Sequence, residues 1–226
     1  MVDFAGLTDM KIAAILAVAP RLFPLWNKAI ESIVDQADAI HVWLDQDTEP
    51  SIEPILAAAD IKVIRADEPY SSGGWREKLI RSLDDVKPDV VLQPDHDETF
   101  EPTIHQELTE FLASNKDAIM FSYRAPMPTC DNRVVFKGRA YPPAPHMLGF
   151  RWKPGLTFRP YCGYCQVTNY ANNPAIVWKA RTKVLHYCMW TPEMEAKKTA
   201  HIFATYPDMR PYVDPNPNYT GRLPYD

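Results

Sequence analysis

The chain has little glycine: eight residues in 226, against 22 prolines. Proline fixes φ and removes a backbone donor. With aromatic residues at 12%, that imbalance predicts long, stiff, irregular loops rather than disorder. No stretch reaches the ~18 consecutive apolar residues of a spanning helix, so no transmembrane segment is expected. There is no internal repeat and no low-complexity tract, which excludes repeat architectures. The four cysteines do not settle the redox compartment. Cys162 and Cys165 have CxxC spacing and, with His186 and Cys188, make a zinc set conceivable. A single CxxC leaves that open against idle thiols in a reducing cytosol. The sharpest absence is of acid: residues 132–192 contain no Asp or Glu.

That gap sits inside a charge asymmetry. Residues 121–185 hold ten Lys/Arg and one acid, Asp131, a net of +9, while the whole chain carries −5. Basic residues there alternate with Tyr123, Phe136, Phe150, Trp152 and Tyr164. Two readings follow: a surface for an anionic ligand, or a basic half that packs on an acidic half.

The rest of the composition is that of a soluble globular chain, 46% hydrophobic and 23% charged, and one domain is expected over 1–226. Residues 12–19 imitate a signal peptide, but Asp3 and Asp9 stand where a positive segment belongs. The run reads instead as a buried first strand, and a cytoplasmic location is expected. An amphipathic helix follows, with Leu22, Leu25, Trp26, Ala29, Ile30 and Ile33 on one face. Further strands are predicted at 40–44, 61–64, 90–93 and 118–122. Helices fall between them at 52–59, after Gly73-Gly74, and around Ile104–Leu112. Strands separated by helical patterns imply βαβ units and a mainly parallel sheet, an α/β fold. From 124 to 173 the pattern dissolves, with short strands plausible at 133–136 and 176–179. A last helix starts near Thr191-Pro192-Glu193, and the tail from Pro207 is expected to be extended.

The most informative motif is Asp95-His96-Asp97-Glu98, directly after the apolar run Val90-Val91-Leu92. Alternate side chains at a strand end point the same way, so Asp95 and Asp97 can converge on one cation. Carboxylates suit hard ions, Mn²⁺ or Mg²⁺. In open α/β sheets ligands bind at the carboxyl ends of the strands. The competing reading is a charged surface turn.

Taken in order, these features resemble the GT-A glycosyltransferases, in particular the family 2-like group. The resemblance spans roughly residues 10–122, with a weaker match over 176–206. It rests on the first strand and its helix, on Trp43-Leu44-Asp45-Gln46-Asp47, on the helix Trp75-Arg76-Glu77-Lys78-Leu79, and on the DxD-like tetrapeptide. Val184-Leu185-His186-Tyr187 is a fifth, weaker element. The resemblance implies a GT-A fold with a nucleotide-sugar-binding half (10–122), an irregular acceptor half (123–206) and a tail (207–226). It implies a nucleotide-diphosphate sugar donor held by Asp45, Asp47, Arg76 and Asp95. It also implies Mn²⁺ or Mg²⁺ held by Asp95, Asp97 and His186. Other readings of the same residues stand beside these: Asp45 as a helix cap, Arg76 as a solvated helix residue, His186 as a core histidine.

The chain departs from the family where an inverting enzyme needs its general base, a carboxylate in the acceptor half. Asp131, Glu193 and Glu195 flank the acid-free gap and His146 lies within it; Asp131 is the candidate carried forward. The acceptor is open: a phosphorylated glycan, a lipid-linked intermediate or DNA. The alternatives are a modified-base DNA glycosyltransferase, a non-catalytic nucleotide-sugar-binding module, and a metal-dependent phosphoesterase using Asp95, His96 and Asp97. A sugar nucleotidyltransferase is disfavoured, because residues 19–23 lack the glycines that would cradle a triphosphate.

Overall fold

Seven consecutive apolar residues, Ile12–Val18, form the first strand, β1, and all seven are buried. Such a run is what a strand covered on both faces requires. In the computed structural model, residues 10–20, 26–66, 74–96, 98–124, 135–136, 139–140, 146–158, 176–186 and 200 are described. The order along the chain is β1, α1 (Trp26–Glu31), β2 (Ala39–Leu44), α2 (Ile52–Ala58), β3 (Lys62–Arg65), α3 (Gly74–Arg81), β4 (Val90–Leu92) and β5 (Glu98–Phe100). Then come α4 (Ile104–Ala113), β6 (Ala118–Arg124), β7 (Val135–Phe136), β8 (Arg139–Ala140), β9 (His146–Arg151) and β10 (Val177–His186).

Eight strands form one sheet in the order β3-β2-β1-β4-β9-β6-β10-β5. The pairs β1–β2, β2–β3, β1–β4 and β6–β10 are parallel. Strand β9 is antiparallel to both β4 and β6, and β5 is antiparallel to β10. The mainly parallel sheet flanked by helices is therefore present, and all five strands expected from 11 to 122 are in it. β7 and β8 make a separate two-stranded ribbon.

The alternation of β1 divides the core. Ile12, Ala14, Leu16 and Val18 join α1, α2 and α4 on one face through Ile30, Leu56, Ile104 and Phe111. Ala13, Ile15 and Ala17 join Trp43, Trp75, Leu79 and Leu83 of the α3 face. Trp43 and Trp75, expected to be core, are each 1% exposed.

Two strands escape the sequence pattern. The segment 146–151, expected to be irregular, is instead a central strand. Gly149 of β9 pairs with Leu92 of β4 on one side and Ile119 of β6 on the other. A Cβ there would lie 2.5 Å from Ile119 Cγ2 and 3.3 Å from Leu92 Cδ2, so this close approach requires glycine. The three-residue β5 begins within the acidic tetrapeptide itself.

The strand expected at 176–179 runs on to residue 186 as β10. Its register against β6 shifts between Lys179 and Lys183, and the irregularity lets the sheet curl. As a result β5, last in the strand order, packs back against α1. Phe100 of β5 meets Phe121 edge to face at 5.2 Å.

Among the described residues, no helix is long and apolar enough to cross a membrane. The helix expected near 191, the tail from 207 and the CxxC cysteines lie outside the described residues.

Candidate functional site

Three segments that follow parallel strands carry polar side chains: the turns after β2 and β4 and the start of α3. The first follows β2. Asp45 donates its N–H to the Val18 carbonyl at 3.0 Å, and its own carbonyl accepts the Thr48 N–H at 2.9 Å. The ends of β1 and β2 are thus tied by the residue that carries the acid. The Asp45 side chain is fully buried, whereas Asp47, two residues on, is exposed. The helix-cap reading of Asp45 does not hold, since Ser51 occupies the N-cap position of α2.

The second element is the start of α3, which follows β3. Arg76 is 4% exposed, and its guanidinium carbon stands 4.1 Å from the centroid of the Trp75 ring. A guanidinium this deeply placed needs an anionic partner. Arg76 Nη2 bonds Asp95 Oδ1, and the Asp95 side chain is 39% exposed. Arg76 is therefore not the solvated surface residue of the alternative reading.

The third element is the turn after β4. Gln93 still donates to the Leu148 carbonyl, at 2.8 Å, and Pro94 has no donor. The Asp95 N–H then turns to Glu98 Oε2 at 2.8 Å, while the Glu98 N–H returns to the Asp95 carbonyl at 3.0 Å. His96 and Glu98 are 3% and 1% exposed. Asp95 thus faces solvent while His96 does not, which disfavours a phosphoesterase that would present both together.

His186 enters from the last strand. β10 runs parallel to β6, so its end reaches the same sheet edge, and His186 pairs directly with Glu98 across the β5–β10 ladder. The backbone of the late histidine is therefore beside the acidic tetrapeptide, which sequence separation alone would not have revealed. The side chain of His186 lies outside the described residues, as do Asp97 and Asp131. Among the described residues, no group of three or more His, Cys, Asp or Glu is placed to hold a metal ion.

The basic segment is partly internal. Arg151 donates to the carbonyls of Lys116, Leu112 and Ser114 at 2.7, 2.8 and 2.9 Å. It thereby closes the C-terminus of α4, where cations are favoured. Lys153 pairs with Asp117 at 2.8 Å, and Arg181 pairs with Glu110. For Lys153 and Arg181, the basic half does complement the acidic one. Sequence reasoning gave Glu98 and Glu107 no role. Both are buried carboxylates, and for Glu98 the available signal was its position three residues after Asp95, the reach of one turn.

The sequence matches no protein-family profile. It matches no curated protein either. Among solved structures the chain is similar to S. aureus TarS 1–349 in complex with UDP-GlcNAc, at 16% identity and a TM-score of 0.44, over 59% of this chain and 37% of that one. It is similar to 4-diphosphocytidyl-2C-methyl-D-erythritol synthase from Anaerococcus prevotii, at 14% identity and a TM-score of 0.43, over 63% and 70% of the two chains. It is also similar to glucosyl-3-phosphoglycerate synthase from Mycobacterium tuberculosis in complex with Mn²⁺ and UDP-glucose, at 21% identity and a TM-score of 0.38, over 53% and 46%. The chain thus spans well under half the length of the TarS structure it matches.

Proposed function

We propose that the carboxyl edge of the parallel strands binds a nucleotide-diphosphate sugar with a divalent cation, and that the chain transfers the sugar as a glycosyltransferase. The observation that carries this reading is the Arg76–Asp95 ion pair at the carboxyl edge of the parallel strands, the edge at which β2 also ends in the buried Asp45. Such an edge, where several parallel strands end together, is where α/β sheets take ligands.

In this reading Asp45 and Asp47 face the nucleoside and Arg76 the diphosphate. Asp95, Asp97 and His186 would hold Mn²⁺ or Mg²⁺, a donor set of oxygen and imidazole that suits those ions. The cation supplies Lewis-acid stabilisation of the departing nucleoside diphosphate. The chain's own contribution is to orient: Trp75 backs Arg76, Arg76 fixes the Asp95 carboxylate, and the Asp45 backbone fixes the end of β2. For the general base we propose Asp131, on the ground that it borders a 61-residue stretch, 132–192, without acid. The acceptor in this reading is anionic and meets basic residues of the 121–185 stretch, of which Lys179 and Lys183 on β10 are exposed.

A thermal-shift screen of UDP, GDP, ADP and CDP, with and without Mn²⁺, tests the reading. A ligand that binds the native state raises the melting temperature. At least one diphosphate should do so, and more strongly with Mn²⁺. A melting temperature unmoved by all four, with and without metal, would refute it.

A further inference from the structure

Glu98, like His96, is a member of the acidic tetrapeptide to which the proposed chemistry assigns nothing. It is 1% exposed, and a carboxylate is costly to bury unless hydrogen bonds compensate. Its Oε2 accepts the Asp95 N–H at 2.8 Å. Its own N–H donates to the Asp95 carbonyl at 3.0 Å. The 95–98 turn is therefore closed twice, once by backbone and once by this side chain. The second bond takes over where the ladder of β4 stops, since Pro94 offers no donor. Glu98 is also the first residue of β5, where it pairs with His186. Phe100, two residues on, anchors that strand against Phe121.

We propose that Glu98 is a positioning residue. Its carboxylate sets the backbone of the turn that carries Asp95 and Asp97, and it stands where that turn joins the strand pair ending at His186. Asp95 is then held from two directions, by Glu98 at its backbone and by Arg76 at its side chain. Groups that orient metal ligands commonly change metal affinity about 10–100-fold when removed. This inference rests on the reading of the edge as a metal–diphosphate site.

The test is a Mn²⁺ titration followed by electron paramagnetic resonance, in the presence of whichever of UDP, GDP, ADP or CDP most raises the wild-type melting temperature. Glu98→Ala should weaken Mn²⁺ about tenfold or more. Glu98→Gln keeps an oxygen acceptor for the Asp95 N–H and should stay within about threefold of wild type, well below the loss expected when an orienting group is removed. Glu98→Asp, one methylene shorter, should behave like the alanine variant and serves if the latter does not fold. Ser114→Ala, at the far end of α4, controls for general loss of stability and should bind Mn²⁺ like wild type. Wild-type affinity in both the alanine and aspartate variants would overturn the proposal. So would a glutamine variant as weak as alanine, because charge rather than geometry would then matter. Failure of the wild type to bind Mn²⁺ with any diphosphate would overturn the underlying reading instead.

Discussion

Replacing Glu107 should destabilise the protein as much as emptying part of its core, although the residue is charged. The carboxylate is 3% exposed. Oε1 accepts Trp178 Nε1–H at 2.6 Å, and Oε2 accepts the N–H groups of Arg181 at 2.9 Å and Thr182 at 3.1 Å. These two backbone donors lie in the stretch of β10 whose register against β6 is interrupted, so Glu107 replaces the ladder there. In Glu107→Ala the donors of Trp178 and Thr182 lose their acceptor inside the protein. Each such loss costs about 1–3 kcal/mol. Arg181 has an exposed side chain, so water can reach its N–H more readily. The sum is about 4 kcal/mol, a large share of the ~5–15 kcal/mol typical of a whole domain. Glu107→Gln keeps one carbonyl acceptor but turns an amide N–H toward donors, and should lose about 2 kcal/mol. Urea unfolding reads both values, through a lower midpoint at unchanged slope. A loss under about 1 kcal/mol for alanine, the cost of one ordinary hydrogen bond, would refute the view that this carboxylate holds the β10 irregularity.

Gly149→Ala places a methyl against Ile119 and Leu92 and should cost about 1–3 kcal/mol of overpacking; an unchanged melting temperature would show that β6 and β9 can part freely. His41 is buried, and its pKa is lowered from 6.5 to about 4, first by burial and then by Lys62. Ser82 Oγ donates to the Leu79 carbonyl, which leaves His41 Nδ1–H as donor to Ser82 at 2.6 Å. The unfolded chain therefore binds a proton below pH 6.5 that the native state takes up only near pH 4. Stability should be full above pH 6.5 and fall by about 3 kcal/mol as pH drops through that window; His41→Gln should flatten the melting-temperature profile there, and an unchanged profile would contradict the assignment. Asp45→Ala should weaken binding of a nucleoside diphosphate and leave Mn²⁺ binding with pyrophosphate unchanged; calorimetry showing equal nucleotide affinity would remove Asp45 from the site.

The parallel part of the fold was legible because its strands are covered on both faces. Ile12–Val18 and Val90–Leu92 are unbroken apolar runs, and the helices between them repeat apolar residues along one face. β9 was hidden because it follows a proline-rich segment and contains Gly149, whose reason lies in Leu92 and Ile119, far from it in sequence: it is the close approach of β4 and β6 that demands it. β5 was hidden because its first residue belongs to an acidic turn. β10 did leave a signal. Exposed Lys179, Arg181 and Lys183 alternate with buried Ala180, Thr182 and Val184, the period of a half-buried strand. At the candidate site, residue types were readable and their contacts were not. That Arg76 pairs with Asp95, and that Glu98 closes the turn beside His186, depends on which strand ends meet.

The most direct test of the proposed activity is release of sugar from a panel of nucleotide-diphosphate sugars, followed by mass spectrometry, with wild type and Asp97→Asn, each with and without Mn²⁺. An amide binds a hard cation far less well than a carboxylate. Wild type should release sugar and nucleoside diphosphate from at least one donor only when Mn²⁺ is present, and Asp97→Asn should release neither above background. Equal release by the variant, or release by wild type that does not depend on metal, would contradict a cation held at the acidic tetrapeptide.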